Sequence, residues 1–394
     1  MKLLYYSSAS YGGIADYAHE QANALADQGW QVTLLSTPEY PTNRGEKYQI
    51  VPLLEEFQSS ETLKNRVAKG IDFVAVTIAN FRKLTQFIKQ HNFQYVLLGS
   101  YVEYFAPLWA SSLRKLVKKG VKFGAVVHDP VRDFVLGPNW WHRWSIASGY
   151  SFLSEAFVHE PIALDTAQIM PQLKTTVIPF GVYSFPLPQA SRTDMRTKLQ
   201  LPLDAKVMLA FGHIRDQKNL DLVIRAMVNF PNVYLVIAGK EQSSGQKPAS
   251  FYQDLAYSLG VSDRCRWEIR FLSDTEVADL FEASDLAILL YSKTFRSASS
   301  ALSIATNYRK PCLASAGKSS LQSIVQKYNL GIWVEPDDVN ATTTGIQQWL
   351  ENPPHPQWER YFTENSWDMN ASLVCNQFTS NEQTLKSEKM SCLI

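Results

Sequence analysis

The chain has 394 residues, 45% hydrophobic and 19% charged, with a formal net charge of +1. That composition is globular and long enough for two domains of about 150–200 residues each. Residues 1–185 carry 17 Lys and Arg against 15 Asp and Glu, and the rest 21 against 22, so neither half has the basic excess of a nucleic-acid binder.

In chain order, apolar strands at 2–8, 31–37, 95–100, 122–128, 156–160 and 175–181 alternate with helices at 14–28, 62–91, 104–119 and 140–149. Strands joined by helices imply parallel pairing, because a parallel connection needs a long crossover. The opening "MKLLYYSSAS" turns polar after a few residues and reads as a first strand, not a signal peptide. The pattern lapses in a Pro- and Ser-rich linker at 186–195. It resumes with strands at 206–212, 233–239, 265–271, 286–291, 311–315 and 331–335, separated by helices at 217–229, 249–259, 274–283, 297–307, 319–328 and 338–351. The expected organisation is a first domain over 1–185, a second over 196–351, a crossover helix within 352–377 and a flexible polar tail over 378–394. The fold class is α/β: two doubly wound, Rossmann-like domains facing a cleft, with the C-terminal helix crossing back to the first. Cys265, Cys312, Cys375 and Cys392 show no metal or disulfide spacing, so a cytoplasmic protein with reduced thiols is expected. No run of 18 apolar residues spans a bilayer. The basic segment 111–123, with Arg114, Lys115, Lys118, Lys119 and Lys122, is either a solvated helix face or a peripheral contact with anionic lipid on the inner membrane face.

Ligands of open parallel sheets bind outside the carboxyl ends of the strands, so the strand-to-helix loops are the candidate site. In "SASYGGIADYAHE", Gly12 and Gly13 let backbone approach a ligand at a helix start, or simply make a tight turn. A Gly-x-Gly-x-x-Gly dinucleotide fingerprint is absent. In "FGHIRDQKNLDLVIRA", residues 211–226, Gly212 is followed by His213, Arg215 and Lys218 at the mouth of the next helix. Cations are unfavourable at a helix N-terminus unless an anion sits among them, which predicts a phosphate site; surface pairing with Asp216 and Asp221 is the alternative. The loop 292–311 offers Ser297, Ser299, Ser300 and Ser303, as further anion ligands or as helix caps. In the first domain His128 and Asp129 end a strand, where they can orient hydroxyls or move protons, unless His128 is a structural residue. Glu103 and Tyr11 are acceptor-side candidates.

Together these segments resemble the retaining glycosyltransferases of family 4, with their two-domain GT-B architecture. The resemblance runs from "YGGIADYAHEQANALADQGWQVTLLS" through "VIPFGVY" (177–183), the loop at 211–226 and "FLSDTEVADLFEASDLAILLYS" (271–292). It implies transfer of a sugar from a nucleotide diphosphate donor, UDP- or GDP-linked, to a hydroxyl of a glycan or lipid-linked acceptor, with no metal and no cofactor. Arg215 and Lys218 would then neutralise the leaving diphosphate, helped by His213, Gly212 and the Gly12–Gly13 loop. His128 and Asp129 would contact the sugars, and the serines at 297, 299, 300 and 303 would hold the donor. Many members carry Glu-x7-Glu at the positions of Phe295 and Ser303; this chain is closer to a subset reading Phe-Gly-x-Ile-Arg-x-x-Lys with a Ser-rich loop. The missing carboxylates leave open a catalytically silent member acting as a nucleotide- or glycan-binding partner subunit. A nucleotide-sugar epimerase and a binding protein of the periplasmic type are further alternatives.

Overall fold

The structure, a computed structural model, describes residues 1–45, 47–57, 66–128, 130, 135, 137–242, 245–296 and 299–391. The chain falls into two compact units, Met1–Phe180 together with Ser366–Ile394, and Gly181–Asn365. The first contains β1 (Lys2–Tyr6), α1 (Gly13–Asp27), β2 (Gln31–Ser36), β3 (Gln49–Pro52), α2 (Arg66–His91), β4 (Tyr95–Leu98), α3 (Ala106–Val117), β5 (Lys122–Val126), α4 (Asn139–Tyr150), β6 (Glu155–Val158) and β7 (Lys174–Val177). The second contains α5 (Arg192–Lys198), β8 (Lys206–Phe211), α6 (Leu220–Ala226), β9 (Val233–Ala238), α7 (Ala249–Ser258), β10 (Cys265–Glu268), α8 (Asp274–Ala283), β11 (Leu286–Leu290), α9 (Ser300–Asn307), β12 (Cys312–Ser315), α10 (Ser320–Lys327), β13 (Gly331–Trp333), α11 (Val339–Glu351) and α12 (Trp358–Glu364). The last helix, α13 (Trp367–Ser391), returns to the first unit.

The first sheet runs β3-β2-β1-β4-β5-β6-β7 and the second β10-β9-β8-β11-β12-β13. Their pairings are parallel, as the alternation of apolar strands and helices requires. Both faces of the first sheet are buried. Leu4 and Tyr6 of β1 pack into one cluster with α2, α3 and α4, and Leu3 and Tyr5 into another with α1 and α13. Near-continuous apolar strands are what two covered faces demand.

Elements missed in the sequence have local reasons. β3 is a four-residue edge strand ending at Pro52, which has no N–H for a ladder. α5 lies partly inside the linker composition. It is capped by Ser191, which accepts from Asp194 N, and anchored by the buried Arg196. The crossover helix expected within 352–377 breaks at Asn365, and Ser366 Oγ accepts from Met369 N at 3.1 Å to start α13 afresh.

A buried polar network fixes α13 to α1. Tyr5 donates to Gln21 Oε1 (2.9 Å), Gln21 Nε2 donates to Asn370 Oδ1 (2.7 Å), and Asn370 Nδ2 donates to Tyr17 Oη (2.9 Å) and to the Pro179 carbonyl (2.7 Å). Phe378, the first residue read as polar tail, is buried against Gly124, where a Cβ would come within 2.8 Å of its ring. α13 continues past it to Ser391.

Candidate functional site

In the second sheet the chain moves outward from β8 to β9 and β10, then crosses to β11 on the other side of β8. The carboxyl ends of β8 and β11 therefore flank the point where strand order reverses, which is where open parallel sheets bind ligands. The loops leaving these two strands carry the basic cluster and the serines. They are stitched together: Ser292 N donates to the Gln217 carbonyl at 2.9 Å, while Asp337 accepts from Asn219 Nδ2 (2.9 Å) and Lys293 N (3.1 Å).

The turn after β8 depends on Gly212. Its φ is +93°, and a Cβ there would stand 2.8 Å from Lys218 Nζ, so glycine both makes the turn and leaves room for the ammonium. Lys218 Nζ donates to the Phe211 carbonyl at 2.6 Å. Arg215 is extended, with its guanidinium carbon 5.9 Å from the centre of the Phe295 ring, and its Nε is buried with no hydrogen-bond partner. Surface pairing with Asp216 is not made: that carboxylate accepts from Lys247 N (3.0 Å) and Tyr252 Oη (3.4 Å). The expected helix at 217–229 is divided into 3-10 turns at Asp216–Lys218 and Met227–Asn229 around a seven-residue α6. The cations thus stand on a turn ahead of the helix, and Asn219, at φ 48°, makes the corner.

These groups suppress one another's charge. Burial first, and then Arg215, lowers the Lys218 pKa to about 7. Burial, Lys218, Arg215 and Lys240 push His213 below its ordinary value. Two cations with little compensating charge, one with an unspent donor, form a site whose electrostatics favour an anion. A cavity of about 20 Å³ beneath them, room for about one water, is lined by Gly212, His213, Arg215 and Lys218.

On the facing loop, Tyr291 stacks on Phe295 with ring centres 4.0 Å apart. The Tyr291 and Ser299 hydroxyls are 2.9 Å apart, and Ser299 Oγ caps α9 by accepting from Leu302 N at 3.1 Å. Ser300 is the exposed first residue of α9. Ser303 is buried: its Oγ donates to the Gly181 carbonyl (3.1 Å) and accepts from Tyr183 N (2.8 Å), fastening the entry of the linker. Ser297 lies outside the described residues.

In the first unit Gly12, with φ +76°, precedes α1, and a Cβ on Gly12 or Gly13 would meet nothing within 4 Å, so the helix start is open to approach. Tyr11 beside it is 82% exposed. Glu103 opens a 3-10 turn and packs against α4, where a Cβ on Gly149 would come within 2.5 Å of its own Cβ. His128 follows β5 and presents Nε2 3.0 Å from the Gly99 carbonyl, which can only accept, so that nitrogen carries the proton. Asp129 lies outside the described residues.

His159 was not singled out in the sequence. It follows β6 as His128 follows β5, and the repeat "AVVHD" and "AFVHE" was the available signal. The rings of His128 and His159 are 5.5 Å apart, and Tyr17 meets both edge-on. His159 Nδ1 donates to the Ile178 carbonyl at 3.2 Å, leaving Nε2 buried without a partner. Burial, then His128, lowers its pKa to about 3, so it stays neutral at physiological pH. Beside it, burial raises the pKa of the Glu160 carboxyl.

Comparison with known proteins follows the same division. Residues 11–161 match the family described as Glycosyltransferase Family 4, and residues 191–366 match Glycosyl transferases group 1. A D-inositol 3-phosphate glycosyltransferase of Mycobacterium tuberculosis is 37% identical over 108 residues, 26% of this chain and 22% of that protein. The match thus spans about a fifth of that relative's length. Among solved structures, the sucrose-phosphate synthase of Thermosynechococcus elongatus superposes with a TM-score of 0.67 at 16% identity, over 97% of this chain and 99% of that one. Anabaena HepE in complex with UDP-glucose gives 0.61 at 16% identity, over 99% and 100%. At such identities the likeness shows the fold, two parallel α/β sheets of the GT-B kind. No helix among the described residues is long and apolar enough to cross a membrane.

Proposed function

Because the chain belongs to glycosyltransferase family 4, we propose that it moves a sugar from a nucleoside diphosphate donor to a hydroxyl of a glycan or lipid-linked acceptor, with retention at the anomeric carbon. A UDP-linked donor is favoured, since HepE with the same fold holds UDP-glucose. The observation that carries this reading is the pair Lys218 and Arg215 at the strand-order reversal, a destabilised ammonium beside a guanidinium with a buried, unused Nε.

The difficult event is departure of the diphosphate as the sugar gains oxocarbenium character. Cations fixed before the event cost no reorganisation during it, and one such donor lowers a barrier by about 3–4 kcal/mol. Lys218 and Arg215 hold the diphosphate, with His213 at the rim and Gly212 giving backbone access. Gly12 and Gly13 give the same access in the first unit. Ser299 and Ser300 meet the distal phosphate or sugar hydroxyls; Ser303, committed to the linker backbone, shapes the loop. His128 and Asp129 act on the sugar or acceptor, with Glu103 and Tyr11 on the acceptor side.

The second reading is a silent partner subunit. What favours it is Phe295, buried under Tyr291 and Arg215 where many members have a carboxylate. A thermal-shift titration with UDP, GDP, ADP and TDP, followed by a transfer assay, separates the readings. At 100 times its dissociation constant a nucleotide adds about 2.7 kcal/mol of stability. The expected result is stabilisation by UDP in the wild type, its loss in Lys218→Ala, and turnover at least about 100-fold lower in that variant. UDP binding with neither donor hydrolysis nor transfer establishes the silent reading. No response to any nucleotide overturns the donor site.

A further inference from the structure

Ser303 stands where many family members carry the second carboxylate of Glu-x7-Glu, and its surroundings in this chain require a hydroxyl. The residue is 2% exposed. Its Oγ donates to the Gly181 carbonyl and accepts from Tyr183 N, so it answers an acceptor and a donor at once. A carboxylate can only accept, and here it would set a lone pair against that of the Gly181 carbonyl. The fastening of α9 to the entry of the linker is therefore a feature of this sequence that members with the carboxylate cannot share.

The same helix meets the proposed donor loop at its other end. Ser299 Oγ caps α9 through Leu302 N and lies 2.9 Å from the Tyr291 hydroxyl. The turn that it caps is only loosely closed. Leu302 N reaches the Ser299 carbonyl at 3.1 Å, while Ser303 N reaches that carbonyl at 3.4 Å, long for a backbone hydrogen bond. One carbonyl shared between these two N–H groups is a helix end poised between 3-10 and α closure. Further along, Thr306 Oγ1 donates to the Ser303 carbonyl at 2.9 Å, and Tyr308 Oη donates to the Pro186 carbonyl at 3.0 Å. Ser303 thus belongs both to the turn that Ser299 caps and to the contact that holds the linker.

We propose that the first turn of α9 couples nucleotide binding to the linker: a nucleotide held at Ser299 and Ser300 tightens the turn, and Ser303 passes that order to Gly181 and Tyr183. The coupling rests on the donor reading given above. Linkage makes it reciprocal, so a linker released from α9 weakens nucleotide binding even where the released residue lies far from the ligand. Tyr308 is such a residue, nine positions beyond Ser299 and about 13 Å along the helix. The linker also supplies an internal control, because Gln189 N and Ala190 N donate to Asp279 Oδ1 of α8 (2.7 and 2.9 Å) and not to α9.

The test is amide hydrogen exchange of the full chain, read by mass spectrometry with and without saturating UDP, beside the thermal shift and dissociation constant for UDP. Melting temperature serves as the fold control for each variant. The expected result is several-fold slower exchange at Tyr183 with UDP, and little change at Gln189 and Ala190. Ser303→Ala removes that response and raises the UDP Kd about fivefold or more. Tyr308→Phe weakens response and affinity in part, and Ser303→Thr, which keeps the hydroxyl, retains both. A UDP thermal shift with unchanged exchange at Tyr183 overturns the coupling and leaves the donor reading standing. Equal slowing at Tyr183, Gln189 and Ala190 also overturns it, as general stabilisation. Tighter UDP binding in Ser303→Glu overturns it in favour of direct contact between position 303 and the nucleotide. Absence of any UDP response overturns the donor reading and the coupling together.

Discussion

Two basic clusters of the second unit are built on opposite principles. Arg196 is 1% exposed, yet its donors are spent: Nε on the Ala283 carbonyl, Nη1 on those of Leu203 and Ala205, and Nη2 on Asp285 at 2.9 Å. Arg192 grips the other oxygen of Asp285, and Asp285 also accepts from Val207 N. This cluster ties α5 to the α8–β11 corner. At the other end of β8, Lys218 and Arg215 lie close together with one backbone bond for the ammonium and a buried Nε that bonds nothing. A cation that holds a fold together is answered by its own chain. A cation that awaits an anion is left unanswered, and its pKa records the cost.

The contrast breaks most sharply under substitution. Removing Arg196 leaves Asp285 its pair with Arg192 but takes the donor from three backbone carbonyls, at about 1–3 kcal/mol for each one left buried and unsatisfied. Arg196→Met should therefore lose at least about 3 kcal/mol in chemical denaturation, whereas Lys218→Ala should lose little stability and most of its turnover. Equal stability losses in the two variants would erase the distinction. A smaller effect sharpens the facing loop: Ser299→Ala should cost about 1 kcal/mol through the lost α9 cap. If it also abolishes the UDP-induced thermal shift, Ser299 reaches the ligand as well as capping the helix.

Much of this was legible in the sequence where the determinants are local. The alternation of apolar strands and helices set out two parallel sheets, and Gly212 with three basic residues behind it marked the loop at the strand-order reversal. What escaped reading depends on partners distant in the chain. Asn370 meets Gln21 across 349 positions, and Ser303 closes on Gly181 and Tyr183 from more than a hundred residues away. No periodicity reports such pairs. β3 escaped because a short edge strand ending in proline has almost no pattern. His159 was different: its strand-end position repeats that of His128 one strand earlier in the chain, and only the structure showed that the two rings share one cluster.

The pH dependence follows from Lys218. Its folded pKa is lowered from 10.5 to about 7, so between those values the unfolded chain binds more protons than the folded one. The contribution of this group to stability therefore rises with pH across that window and is constant below it. On the proposed reading a diphosphate paired with the ammonium would reverse the shift, so the complex would take up a proton above about pH 7 and its affinity would fall as pH rises.

Calorimetry of UDP binding at pH 8 in buffers of different ionisation enthalpy tests this most directly. The account predicts net uptake approaching one proton per nucleotide in the wild type, no uptake in Lys218→Met, and much weaker binding in that variant. Binding that is as tight in Lys218→Met as in the wild type, with the same proton balance, would contradict it.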